Sequence, residues 1–369
     1  MILTKVDYFE NKGQDNYWEI KDVNLGMFSL IIGQNATGKT RLVNVISGFA
    51  KMLSKKIPLI QTGNWNLKFR NQTTNVDYEY HLNISKGVVN LEEVKLGKKL
   101  LLKRQKEQGE LFSNTKNKMI PFNPPEDELT VHVRRDVKEF PFLEDFLRWS
   151  NNFHGYSFTN VKPDHITIPG KSEILLEDLS TTPYLLIEAL KTKDIIKTIK
   201  QDFSSIGYPI KRIAVNPKKI TGASNDILFA TVWENDLSCT TDQLSMSQGM
   251  YRAFSLIIII EYLLRLKKEC TVVIDDLGEG LDYQRSSKII DLLIEKLDKS
   301  QIQLITTSND RFLINAVDLK NLNLLERKGH FVFSYNYKNS KEKFDEFVYT
   351  GLSNFDFFSG KMYKEWSQS

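Results

Sequence analysis

The sequence is poor in the residues that build metal sites and disulfide frameworks. Its 369 residues include two cysteines, Cys239 and Cys270, and five histidines. So few thiols exclude a disulfide scaffold and suit a reducing cytoplasm. His81, His132, His154, His165 and His330 are scattered, and none sits at a finger-like interval from a cysteine, so no zinc site is expected. Long apolar runs are missing too. The longest, residues 254–260, stops at Glu261; it is too short to span a bilayer and reads as a buried helix. Met1-Ile2-Leu3-Thr4 begins no charged-then-apolar leader. No heptad pattern is sustained, which excludes long coiled-coil arms. Charge is balanced: 50 Lys and Arg against 46 Asp and Glu leave +4 and a pI of about 8.7, short of a clear nucleic-acid footprint. No nucleophile elbow is present, so hydrolases of that kind are excluded as well.

What is present is a phosphate loop. Gly33-Gln34-Asn35-Ala36-Thr37-Gly38-Lys39-Thr40 fits G-x-x-x-x-G-K-[ST]. The β-type run Met27-Phe28-Ser29-Leu30-Ile31-Ile32 leads into it, and residues 40–53 place Leu42, Val43, Ile46, Phe49, Ala50 and Leu53 at helical spacing. Strand, glycine-bearing turn and helix are the context such a loop requires. Gly33 and Gly38 permit backbone angles that let successive N–H groups converge on phosphates, and the helix N-terminus adds partial positive charge. Lys39 is expected to reach the β- and γ-phosphates and the Thr40 hydroxyl to ligate Mg²⁺, with Gln34, Asn35, Ala36, Thr37 and Arg41 completing the cradle. The competing reading is a chance glycine turn before a surface helix; the flanking strand and helix speak against it.

Far downstream lies a second set. Thr271-Val272-Val273-Ile274-Asp275 is a buried-strand pattern ending in a carboxylate, suited to hold a Mg²⁺ shell at the C-terminal edge of a sheet. Asp276 follows at once, placed to orient or activate an attacking water, with Glu279 the next acid in reach. An exposed strand end is the plainer alternative. Before this strand comes Leu244-Ser245-Met246-Ser247-Gln248-Gly249, the start of a helix expected over residues 248–268. Its N–H groups and serine hydroxyls make an anion site, or simply a Ser-capped core helix.

The order G-x-N-x-x-G-K-T, L-S-M-S-Q-G, an apolar run ending in D-D, then Leu281-Asp282, resembles the ATPase heads of the chromosome-maintenance and recombination branch of the ATP-binding-cassette superfamily. That branch includes structural-maintenance-of-chromosomes (SMC) heads, double-strand-break repair ATPases and overcoming-lysogenisation-defect ATPases. The resemblance is specific over residues 1–50 and 240–315. It implies an α/β fold: a P-loop NTPase head with a mixed-sheet core, an antiparallel β meander and an inserted helical subdomain. It also implies ATP and Mg²⁺ as ligands, Thr40 and Asp275 at the metal, and Lys39, Asp276 and Asn309 in catalysis. Ser245, Ser247 and Gln248 then touch the γ-phosphate held by the opposite protomer, and Asp282 lies on the D-loop. ATP would glue two heads head-to-tail.

Three departures from the family pattern bear on rate. Asp276 stands for the usual glutamate, Met246 and Ser247 for the signature glycines, and Asn309 for the usual switch histidine. Asparagine can hydrogen-bond a phosphate but cannot carry charge. These departures imply slow hydrolysis, with the ATP-bound form as the working state; turnover faster than about 10 s⁻¹ would count against this.

The remaining chain is less specific. Its length corresponds to about two or three domains, divided as an N-terminal lobe over 1–120, an inserted helical or mixed subdomain over 121–240 and a C-terminal lobe over 241–369. Residues 65–104 alternate in short runs and predict an antiparallel meander of three to five strands. Residues 121–126 (PFNPPE) read as a loop, 129–133 as β-like, and 142–149 and 184–203 as helical. Lys98, Lys99, Lys103, Arg104 and Lys106 form the best basic run, read first as a solvated strand and turn and second as a DNA contact. Arg134 and Arg135 offer a second candidate, or an internal ion-pair network. Gln61 is a Q-loop candidate, one of several glutamines that could serve. In the tail, Phe344, Phe347, Tyr349, Phe355, Phe357, Phe358, Tyr363 and Trp366 read as core first and interface second. Too short a segment follows Asn309 for a fused Toprim nuclease, so an effector is expected to be encoded separately.

Compact heads without coiled coils look like the ATPase subunits of bacterial two-component anti-phage modules. The leading expectation is thus a dimerising cytoplasmic ATPase switch with a protein partner and no membrane. A repair-type ATPase clamping DNA is the alternative, and a transporter subunit is disfavoured by the altered signature and the large insertion.

Overall fold

A computed structural model of the chain describes residues 1–164, 182–219 and 227–364. His165 and Trp366, named above, lie outside the described residues. The chain opens with β1 (Ile2–Glu10), β2 (Trp18–Asn24) and β3 (Phe28–Gly33), then α1 (Lys39–Leu53). Six strands follow: β4 (Thr62–Asn71), β5 (Val76–Ser85), β6 (Val88–Leu96), β7 (Lys99–Gln105), β8 (Gln108–Ser113) and β9 (Lys118–Phe122). Next come α2 (Thr130–Val133), α3 (Pro141–Asn151), β10 (Phe153–Ser157), α4 (Thr182–Leu190) and α5 (Lys193–Ser205). A small sheet is made by β11 (Ile210–Lys218), β12 (Ile227–Glu234) and β13 (Thr241–Asp242). The chain closes with α6 (Gln248–Leu266), β14 (Cys270–Asp275), α7 (Tyr283–Leu297), β15 (Ile302–Ser308), α8 (Arg311–Ala316), β16 (Leu322–Lys328), β17 (Phe331–Asn336), α9 (Lys341–Val348) and α10 (Asn354–Ser359).

One 14-stranded mixed sheet runs through the molecule in the order β10-β14-β15-β3-β16-β17-β2-β1-β4-β5-β6-β7-β8-β9. From β10 to β16 neighbouring strands are parallel, and from β1 to β9 they are antiparallel. The join is β17 lying parallel to β2, with Phe331 beside Glu19. The meander is therefore a continuation of the nucleotide-binding sheet.

Alternation along the central strands assigns the two faces. Ile31, Val273 and Ile305 pack with α1 and α3, while Leu30, Ile32, Val272, Ile274 and Leu304 pack with α6 and α7. Strands β14 and β15 are buried at every position, as parallel strands covered on both faces must be. Their C-terminal ends meet the C-terminal end of β3 in register, Ile274 beside Thr306 and Thr307 beside Ile31. This is the edge where α/β sheets place ligands.

Several expectations need correction. Over residues 65–104 the meander has four antiparallel strands, β4 to β7, within the expected three to five; it runs on past that span because two weakly alternating segments, QGELFS and KMIPF, also pair as β8 and β9. Pro121 is tolerated because β9 is the sheet edge. Residues 130–133 form a short helix, not a strand: the Thr130 N–H and hydroxyl donate to Glu92, at 3.1 and 2.7 Å. A segment this short has too few residues for its periodicity to decide. The helical stretch 184–203 is two helices, broken where Thr192 is extended. The signature helix stops at Leu266, where Lys267 takes a left-handed cap.

In the tail, Phe344, Phe347, Phe357 and Tyr363 are buried, as the core reading had it, whereas Tyr349 is 90% exposed. No helix among the described residues is long and apolar enough to cross a membrane.

Candidate active site

The phosphate loop leaves the end of β3 and closes onto α1 through two residues with positive φ, Ala36 at 63° and Gly38 at 104°. Gly33 is required by space, and Gly38 by space and angle. A Cβ at Gly33 would stand 2.5 Å from Thr37 Oγ1, and one at Gly38 would stand 3.0 Å from the Trp18 ring. Thr37 locks the turn by donating its hydroxyl to the Gln34 carbonyl at 2.8 Å. Lys39 is 7% exposed and donates to the Gly33 and Gln34 carbonyls at 2.8 and 3.3 Å. Burial pushes its pKa down, while Asp276 and Asp275 pull it back up. Gln34, Asn35, Ala36 and Thr40 are exposed. Arg41 folds back, its guanidinium 4.4 Å from the Trp18 ring centre and paired with Glu10.

The acids arrive from β14. Asp275 is buried and accepts a hydrogen bond from Thr307 Oγ1 at 2.6 Å. Asp276 turns the chain with φ at 55°, a left-handed angle that Asp tolerates better than most residues, and its N–H donates to the same Thr307 hydroxyl at 2.8 Å. Its carboxyl titrates above the usual range, first through burial, then through Asp275 and Glu279; Lys39 opposes the shift. Glu279 is exposed, and its N–H donates to the Asp276 carbonyl at 3.2 Å. From β15, Asn309 Nδ2 donates to Asn35 Oδ1 at 2.8 Å. Lys39, Asp275, Asp276, Asn309 and Asn35 are thus gathered at the ends of three adjacent parallel strands.

The signature residues are elsewhere. Ser247 caps α6 by accepting the Met250 N–H at 3.2 Å, which stabilises the helix by about 1 kcal/mol. Ser245 donates its hydroxyl to Asp242 at 3.2 Å. Ser245, Ser247 and Gln248 are exposed, whereas Met246 is buried. Both serines line an open cleft with Thr241, Cys239, Glu234 and Arg285, and no phosphate-loop residue borders it. Asp282 caps α7, accepting the Gln284 and Arg285 N–H groups at 3.1 and 3.0 Å and pairing with the Arg285 guanidinium. Gln61 sits before β4, its carbonyl accepting the Gly87 N–H at 3.1 Å.

The donor set fits Mg²⁺. That ion takes one or two carboxylates or hydroxyls and completes its shell with water and phosphate oxygens. Asp275 and the Thr40 hydroxyl would supply such a pair; among the described residues no group of three or more His, Cys, Asp or Glu side chains is placed to hold a metal.

Sequence reasoning missed several residues. Thr307 holds both acids; its only signal was three hydroxyls in a row, Thr306-Thr307-Ser308, at the end of an apolar strand. Arg252, a buried cation in an apolar helix, donates to the carbonyls of Val161, Glu279 and Thr159 at 3.1, 2.9 and 2.8 Å, tying α6 to the turn after Asp276. Arg327 reaches the Ala36 carbonyl at 3.3 Å. Trp18 and Glu10 carried no local signal.

No protein-family model and no curated protein matches the sequence. Solved structures do. An SMC head described as bound to the C-winged helix domain of ScpA aligns over 90% of this chain and 97% of its own, with TM-score 0.51 and 13% identity. A Pyrococcus furiosus SMC head domain with an extended coiled coil, described as bound to the C-terminal domain of ScpA, aligns over 94% and 99%, with TM-score 0.50 and 12% identity. The fold is that of an SMC head.

Proposed function

We propose that this protein binds and slowly hydrolyses ATP, and that two copies close head-to-tail around the nucleotide. One observation carries the reading. The phosphate loop, the paired acids and Asn309 meet at the C-terminal ends of β3, β14 and β15, while Ser245, Ser247 and Gln248 stand exposed on another surface of the same chain, free to reach a second copy. In this reading Lys39 binds the β- and γ-phosphates, assisted by loop N–H groups and the α1 N-terminus. Mg²⁺, held by Thr40 and Asp275, would neutralise developing phosphate charge. Asp276 accepts the proton of the attacking water, a task its raised pKa suits. Asn309 orients that water or the γ-phosphate. Ser245, Ser247 and Gln248 of one copy, beside Asp282, meet the γ-phosphate bound by the other.

The biological reading is a switch for a separately encoded effector, within an anti-phage module. It is supported by what fills the space between the two halves of the site. Between residues 54 and 242 the described residues form the meander, α2, α3, β10, α4, α5 and the small sheet, and the longest helix among the described residues is the buried 19-residue α6. Among the described residues nothing resembles a ring-forming arm. A DNA-clamping repair ATPase is the second reading, favoured by exposed Lys98, Lys99, Lys103 and Lys106 on and beside β7.

The test is sedimentation with and without Mg–ATP. Wild type and Asp276→Ala are expected to dimerise with nucleotide, the variant more persistently, and Lys39→Ala is expected to stay monomeric. A wild type and Asp276→Ala that remain monomeric at saturating Mg–ATP would refute the sandwich. ATP-enhanced, salt-sensitive DNA binding would favour the clamp over the switch.

A further inference from the structure

The end of β15 presents three hydroxyls to the catalytic turn. Thr306 Oγ1 donates to the Ile274 carbonyl at 3.0 Å and Ser308 Oγ to the Leu277 carbonyl at 2.8 Å. Between them, Thr307 Oγ1 does something different. It donates to Asp275 Oδ1 at 2.6 Å and accepts from the Asp276 N–H at 2.8 Å. A hydroxyl has one proton to give and lone pairs to receive, so a single oxygen can serve both acids at once.

Each bond has a separate consequence. The donated proton fixes one oxygen of the buried Asp275 carboxylate, and with it the plane of the group; bonds of this charge-assisted kind are the short, strong ones. The accepted bond holds the N–H of Asp276, a residue whose φ of 55° is sparsely populated for side chains bearing a Cβ. Thr307 itself is fully buried, so water does not readily substitute for its hydroxyl. Removing that hydroxyl leaves the Asp276 N–H and an Asp275 oxygen short of a partner in a dry place.

We propose that Thr307 is the positioning residue of the acid pair: its hydroxyl sets the Asp275 carboxylate for the metal and the Asp276 backbone for water activation. This rests on the ATPase reading above and adds to it a residue that touches neither nucleotide nor metal. Ile31 beside it in β3 has no hydroxyl to replace it.

Three variants test it. Thr307→Val keeps the shape and deletes the hydroxyl. Thr307→Ser keeps the hydroxyl. Thr306→Val deletes a neighbouring hydroxyl that reaches backbone carbonyls alone, and controls for stability. Each is measured for thermal unfolding, ATP affinity without metal, calorimetric Mg²⁺ affinity of the ATP complex, and turnover. Thr307→Val is expected to weaken Mg²⁺ about tenfold or more and to lower kcat similarly, with metal-free ATP affinity within about twofold, as for lost outer partners of metal ligands. Thr307→Ser is expected to recover most of both. Thr306→Val is expected to lower the melting temperature and leave Mg²⁺ affinity and kcat near wild type. The inference is overturned if Thr307→Val matches wild type in Mg²⁺ affinity and kcat, if serine fails to rescue, or if Thr306→Val shows the same metal defect. A wild type that binds no Mg–ATP overturns the ATPase reading itself, and is told apart by the Lys39→Ala control being indistinguishable from it.

Discussion

Asn309 Nδ2 lies 2.8 Å from Asn35 Oδ1, joining the end of β15 to the middle of the phosphate loop. In the proposed ATPase, the bond would connect the residue that senses the γ-phosphate with the loop that cradles it. Because an amide stays neutral, it can orient but cannot compensate charge. Asn309→Ala is expected to slow turnover about a hundredfold, the scale for losing a preorganised donor, with ATP affinity within about threefold. Asn309→His is expected to exceed wild-type turnover, since the ring can carry a proton. Steady-state kinetics with direct ATP titration check both; an Asn309→Ala protein that fails to bind ATP would assign the residue to binding.

Asp276 gives a stability prediction with a definite sign. Its folded pKa is raised by burial and by Asp275 and Glu279, so the folded state holds the proton more tightly than the unfolded chain. Its contribution is favourable below the unfolded pKa of about 3.9 and is lost as pH rises through the folded pKa. Without nucleotide, Asp276→Asn is expected to melt higher than wild type at pH 7, and the gap is expected to close toward pH 4. Melting curves across that range decide it; a variant less stable at pH 7 contradicts the assignment.

Gly249 opens the signature helix against the turn before α7. A Cβ there would stand 2.3 Å from the Gly280 carbonyl oxygen, a backbone atom with no rotamer to yield. Gly249→Ala is expected to cost about 2 kcal/mol, as overpacking does, and to remove ATP-dependent dimerisation while Mg–ATP still binds one chain. Denaturant unfolding and sedimentation measure the two effects, and a dimerising Gly249→Ala protein would separate this contact from the interface.

Within the meander, Arg104 and Glu92 are both fully buried, their charges 3.4 Å apart. Arg104 also donates to the carbonyls of Glu128 and Pro125, each at 2.6 Å, and Glu92 accepts from Tyr80 and Thr130. Arg104→Ala strands the Glu92 carboxylate and is expected to cost about 3–5 kcal/mol. Pairing Arg104→Met with Glu92→Gln is expected to recover much of it in urea unfolding. The same residue removes one charge from the basic run considered for DNA, which leaves its exposed lysines.

How much of this was legible in the sequence follows from how local each feature is. The phosphate loop was legible because one strand, one turn and one helix make it. Asp275 and Asp276 were legible because a buried strand ending in acids is unusual. The signature helix was readable from its serine cap and apolar run. The role of Thr307 was not, because it depends on β14 pairing with β15 in one register, and no local pattern states a register. The union of meander and core was hidden likewise, resting on Phe331 lying beside Glu19 across the length of the chain. Segment 130–133 misled because the Glu92 carboxylate, not local preference, sets its shape.

The central claim is that each copy completes the other's site, and complementation tests it directly. Lys39→Ala retains the signature serines but loses its phosphate loop; Ser245→Arg retains the loop but blocks the exposed signature. Each alone is expected to be inactive. Mixed with Mg–ATP, they can form one intact site per mixed dimer, so turnover is expected to reappear, at most at about half the wild-type value per dimer. A mixture no more active than the sum of its parts, beside a wild type that does hydrolyse ATP, would contradict the shared site.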